Sequence, residues 1–106
     1  MRLLNVLTRE LKEFSDTNRP PCVIVSHRWG ADEATYRDVR SMRNTNKAGF
    51  RKIRRFCRWV RDNCSIKWIW IDTCCINKDS ATELSESINS MFRWYTESEF
   101  LSGMAP

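Results

Sequence analysis

The chain has 106 residues, 42% of them hydrophobic and 11% aromatic, which is enough apolar side chain for the core of one small domain. Only three Gly and three Pro are present, which excludes a low-complexity or disordered chain. Lys plus Arg outnumber Asp plus Glu by 18 to 13, and the net charge of +5 suits an anionic partner without specifying one.

Apolar runs such as Cys22–Val25 are far too short to cross a bilayer. Arg9, Glu10, Lys12 and Glu13 interrupt the first apolar stretch and argue against a secretory signal. The five cysteines are Cys22, Cys57, Cys64, Cys74 and Cys75: an odd number, with one adjacent pair and no CxxC. With a single His, this pattern fits reduced, buried thiols in a cytoplasmic protein and no metal site.

The first segment, Met1 to Phe14, reads two ways. Leu3, Leu4, Leu7, Leu11 and Phe14 fit one helix face, and two short strands around Leu3–Val6 and Glu10–Phe14 fit as well. Asp16, Asn18 and Pro20–Pro21 then mark a loop. Cys22–Ser26 is β-branched and apolar on both faces, the pattern of a buried strand. His27 to Tyr36 reads as the loop leaving its C-terminal end, and Asp38 to Asn46 as irregular or exposed chain.

From Lys47 to Asp62 the period changes. Phe50, Ile53, Cys57 and Val60 fall on one helix face, with arginines over the remainder. Lys67–Asp72 is a second buried strand, with Trp68 and Trp70 read as core, and Thr73–Asp79 is a loop. Ser80-Ala-Thr-Glu83 is the sequence of a capping box. The helix it opens places Leu84, Ile88, Met91, Phe92 and Tyr95 on one face, and from Thr96 onward the pattern is lost.

The order strand, helix, strand, helix makes the two buried strands parallel through a right-handed crossover. In open α/β sheets ligands sit beyond the carboxyl ends of the strands. The two loops at that edge, Ser26–Gly30 and Asp72–Asn77, hold this chain's unusual residues.

The strings VIVSHRWG, KIRRFCRWV, WIWIDTCCINK and ELSESINSMFRWY, in that order, resemble the fungal heterokaryon incompatibility (HET) domain, and the opening MRLLNV resembles its usual start. The resemblance covers residues 1–95. It implies a HET domain that is short on its C-terminal side, followed by a frayed tail over 96–106. It also favours the hairpin reading of Met1 to Phe14. The HET domain in turn resembles the Toll/interleukin-receptor (TIR) domain: Val23–Arg28 is similar to its first strand, Trp70–Asp72 to its FID strand, and Thr82–Ile88 to the helix start of plant members. The implied fold is α/β, a small, mainly parallel, TIR-like sheet with flanking helices and an N-terminal β-hairpin.

The implied role is an effector or signalling module in nonself recognition and programmed cell death. It acts either as an NAD-cleaving enzyme or as a non-catalytic self-association module; an inactive truncated copy is the third reading. In the enzymatic case NAD is a substrate and no cofactor is needed. The resemblance places the catalytic glutamate at Glu83, where a carboxylate would hold the ribose hydroxyls and stabilise an oxocarbenium-like state. The same residue is the N3 member of the capping box, and both readings stay open.

Ser26, Arg28, Trp29 and Asp72 are the implied substrate-binding residues. Arg28 would bind a pyrophosphate and Trp29 would stack a ring. Packing of Trp29 beneath its loop, solvation of Arg28 and anchoring of backbone amides by Asp72 are the competing structural readings. His27 has no triad partner in the sequence, and Cys74–Cys75 reads as packing. Ten Lys or Arg and one acid lie between Arg37 and Arg61. No nucleic-acid-binding module accompanies them, and a subunit contact, or attraction to anionic NAD or phospholipid, uses the same charges; the partners that the resemblance implies are further copies of the chain or other cell-death proteins.

Overall fold

The computed structural model describes residues 1–15, 18–26, 32–43, 45–97 and 99–102, with side chains through residue 90 except that of Ser26. His27, Arg28 and Trp29 lie outside the described residues.

The N-terminal segment is a hairpin. β1 (Arg2–Asn5) pairs antiparallel with β2 (Leu11–Glu13), Leu3 opposite Lys12. Leu3 and Leu4 point to opposite faces, yet both are fully buried. An inner strand buries both faces, so the leucine pattern that also suits a helix is satisfied here by sheet. The Asn5 side-chain oxygen accepts from the Leu7 and Thr8 amides at 2.8 and 3.0 Å and starts the turn.

β3 (Val23–Ser26) and β4 (Trp68–Ile71) are the two strands expected from sequence, and they pair in parallel with Val25 opposite Ile71. Glu99–Ser102, which the sequence places in the tail, forms β5, parallel to the other side of β3. The order across the sheet is β2-β1-β4-β3-β5. The sheet is therefore mixed rather than mainly parallel, because β1 inserts antiparallel against β4. Antiparallel strands need only a tight turn, so the hairpin extends the sheet without a crossover helix.

Between β3 and β4 runs α2 (Ala48–Asn63), which buries Phe50, Ile53, Phe56, Cys57 and Val60. Four of these are the expected face; Phe56 widens it. The stretch expected to be irregular begins instead with a helix, α1 (Tyr36–Ser41). Thr35 and Asp38 form a reciprocal capping box, with side-chain bonds of 3.3 and 3.1 Å. Asp38 is buried, and Lys47 Nζ meets its carboxylate at 2.8 Å.

α2 has no side-chain cap of its own, and Asp32 supplies one from the preceding loop. Its carboxylate accepts from the Ala48 amide at 2.9 Å, and its carbonyl accepts from Gly49 at 2.8 Å. A second ion pair, Lys52 to Glu33 at 2.8 Å, fastens the same loop to the helix.

After β4 the expected loop opens with one helical turn, α3 (Asp72–Cys75), and then leads to α4 (Ala81–Glu97). Leu84 packs against the core as expected, but Ile88 is 60% exposed and Ser87 is buried in its place. The face of α4 is thus turned about one position from the expected one. Met91, Phe92 and Tyr95 lie outside the described side chains. Trp70 is fully buried, while Trp68 is half-buried with its ring edge-on to Phe14 at 5.0 Å.

Candidate functional site

The strand order fixes where a site can form. From β3 the chain moves one way to β4, and from β4 it returns past β3 to β5. With right-handed crossovers, the helices after β3 and after β4 then lie on opposite faces, and their loops part at the carboxyl ends of these two neighbouring strands. Ser26 ends β3 and Asp72 follows β4, so both expected residues stand at that parting.

Two pockets open beside this edge. One, of about 220 Å³, is lined by residues that include Arg2, Glu13, Trp70, Ser80, Glu83 and Glu86. The other, of about 300 Å³, lies among residues 33–37 and 73–79, including Tyr36, Asn77 and Lys78. Asp72 lines neither. Its negative charge acts on Lys78, whose ammonium is pushed below its ordinary value by burial, against the pull of Asp72 and Glu33.

Glu83 sits in the first turn of α4. Half of the anticipated capping box is present, since the Ser80 hydroxyl accepts from the Glu83 amide at 3.3 Å. The other half is not. The Ser80 amide donates to the Asn77 carbonyl at 3.1 Å, and the Glu83 carboxylate turns away from the cap. Its Oε1 accepts from the Asn77 amide at 3.3 Å and from the Arg2 guanidinium. The Arg2–Glu83 ion pair is largely covered, with side chains 14% and 27% exposed. Arg2 also lies over the Tyr36 ring, 4.4 Å from its centre.

Arg2 is the residue that sequence reasoning missed. Its role depends on β1 lying next to β4, and nothing local to MRLLNV reports that pairing. The signal for Tyr36 was present in the Thr35–Asp38 capping spacing.

The adjacent cysteines are structural. Cys74 and Cys75 are buried, and the Cys75 sulfur accepts from the Ile71 amide at 3.4 Å. Its hydrogen bond to Cys75, then burial, holds the Cys74 thiol well above its ordinary range, the opposite of an activated nucleophile. All five cysteines are free, four buried and Cys64 half-buried. Among the described residues no group of three or more His, Cys, Asp or Glu side chains converges as a metal site. No helix among them is long and apolar enough to cross a membrane.

Comparison with known proteins gives two matches. The family model described as heterokaryon incompatibility protein (HET) matches residues 23–105. The vegetative incompatibility protein HET-E-1 of Podospora anserina is 45% identical over 91 residues, which are 84% of this chain and 7% of that protein. The chain thus spans a small part of that relative's length. No solved structure matches.

Proposed function

The chain belongs to the heterokaryon incompatibility (HET) family, and we propose on that footing that it is an effector or signalling module of fungal nonself recognition and regulated cell death, acting in the cytoplasm by cleaving NAD as TIR-like enzymes do. The observation that carries the enzymatic part is the orientation of Glu83. Its carboxylate leaves the cap it was free to complete and faces a pocket at the end of the sheet where ligands of open α/β folds bind.

In the proposed reaction Glu83 accepts hydrogen bonds from the ribose hydroxyls of the nicotinamide nucleoside. The bond from C1′ to the nicotinamide nitrogen breaks, and its electron pair leaves with nicotinamide. The carboxylate stabilises the cationic sugar until water adds at C1′ and gives a proton to solvent. Ser26 and Asp72, at the ends of β3 and β4, and Arg28 and Trp29, which follow Ser26 in the sequence, are the residues proposed to line the remainder of the substrate's path.

The test is NAD consumption by concentrated purified protein beside Glu83→Gln, with folding checked by circular dichroism. Gln retains an acceptor for the Asn77 amide but loses the ion pair, at a cost of about 1–2 kcal/mol for a partly covered pair. We expect turnover to vanish in a folded variant; turnover unchanged would remove Glu83 from the mechanism.

A second reading, a non-catalytic self-association module, draws on one observation: Ile88 and Trp59 stand 60% and 38% exposed on the two long helices. If assembly alone carries the signal, charge reversal at Arg58, exposed beside Trp59, abolishes cell killing while Glu83→Gln leaves it intact.

A further inference from the structure

We propose that Arg2 is a gate dividing one elongated binding site, and that the ligand fitting this site is a nucleoside diphosphate with a cationic or polyhydroxylated end. This deepens the NAD reading and rests on it for the ligand class, although the division itself is a matter of geometry.

The two pockets share a wall. Arg2 lines the smaller one, and its guanidinium lies 4.4 Å from the centre of the Tyr36 ring, which lines the larger one. Beside it, the backbone amide of Asn77, also in the larger pocket, donates at 3.3 Å to the Glu83 carboxylate of the smaller. The Arg2–Glu83 ion pair completes the partition. Small-molecule sites usually run from roughly 300 to 1,000 Å³. At about 220 and 300 Å³ the two chambers stand at or below that lower limit singly, and joined they fall within it.

The chambers differ in chemistry. The smaller carries the carboxylates of Glu13, Glu83 and Glu86 together with serine and threonine hydroxyls, a lining for a sugar or a cation. The larger carries Lys78 and Arg37, balanced by Glu33 and Asp79. Arg37 reaches Asp79 at 3.0 Å in a largely exposed pair, the kind that exchanges its partner at little cost. Arg2 stands where a ligand spanning both chambers would place its phosphates.

A guanidinium binds phosphate in two-pronged fashion as readily as it binds carboxylate. A diphosphate would draw Arg2 off Glu83, free the carboxylate for the sugar and open the wall in one movement. Arg2 is thus a positioning residue: in this structure it keeps Glu83 occupied, and a phosphate-bearing ligand releases it.

The test compares two ligands on the intact protein by calorimetry: ADP-ribose, which carries a diphosphate, and nicotinamide riboside, which carries none. Arg2→Met removes both the block on Glu83 and the phosphate contact. Nicotinamide riboside should then bind about tenfold more tightly, and ADP-ribose about tenfold more weakly. Arg2→Lys, which keeps the charge without the two-pronged geometry, should fall between. Tyr36→Leu, which loosens the gate without touching either charge, should strengthen binding of both ligands and guards against a folding defect at Arg2.

Equal changes for both ligands in Arg2→Met, or no change, overturn the gate. Absence of binding by wild type and all variants overturns the gate and the NAD reading together. The opposed pattern without NAD turnover sustains the gate and removes the enzymatic reading. NAD turnover without the opposed pattern does the reverse.

Discussion

Gly49 lies where the loop leaving β3 crosses the first turn of α2, and Gly49→Ala tests whether that crossing holds the site's framework. A Cβ there would stand 2.3 Å from the Ala34 nitrogen, 2.7 Å from the Asp32 oxygen and 2.7 Å from the Glu33 carbonyl carbon. Ordinary contact begins at 3.4 Å, so loop or helix must retreat by about 1 Å. All three obstacles are backbone, and no side chain can rotate out of the way. Overpacking of this kind costs roughly 1–3 kcal/mol.

The retreat also stretches the Gly49 bond to the Asp32 carbonyl, now 2.8 Å, at about 1 kcal/mol. The helix preference of Ala returns at most about 1 kcal/mol. The net is a destabilisation of about 1–3 kcal/mol. For a domain of this size that lowers Tm by on the order of 5–15 °C. Thermal melts followed by circular dichroism read this directly. A Gly49→Ala protein that melts at or above the wild-type temperature would refute the close crossing and, with it, the placement of Thr35 and Tyr36 just beyond.

Asp32→Ala removes the acceptor of the Ala48 amide and should cost about 1 kcal/mol in urea unfolding, while Asp32→Asn restores most of it; equal losses for the two would deny the cap. In the native protein a thiol reagent should modify Cys64 rapidly and the other four cysteines only after denaturant is added, so several fast thiols in native buffer would contradict the burial described. Burial raises the Cys57 thiol from its ordinary 9.0 to about 11. The folded protein therefore keeps a proton that the unfolded chain loses, so this contribution to stability is complete below about pH 9 and declines between about pH 9 and 11, by roughly 3 kcal/mol. Cys57→Ala should flatten that decline, and parallel stability curves for variant and wild type would exclude Cys57 as its source.

The elements legible in the sequence are those whose burial is written locally. β3 and β4 are apolar on both faces because sheet neighbours and helices enclose them. The buried face of α2 repeats at helical spacing over 16 residues, long enough for its period to show. α1 has six residues, with Val39 and Asp38 buried. It depends on partners outside itself: Arg2 over Tyr36, and Lys47 on Asp38. A periodicity argument has no purchase on so short a segment. Ile88 shows the other limit, since apolar spacing gives the width of a helix face but not the rotation at which the core receives it.

By itself, then, the sequence determined the family, the two parallel strands, the long helix between them and the cap that starts α4, because each is set by residues within a few positions of one another. Only the tertiary structure decided that the hairpin pairs antiparallel with β4, making the sheet mixed, and that Glu83 faces Arg2 rather than its own cap. The two residues are 81 positions apart. An amide three residues along the chain is always within reach of a side chain, but a guanidinium from the other end of the sequence arrives only when the sheet has formed and brought β1 beside β4.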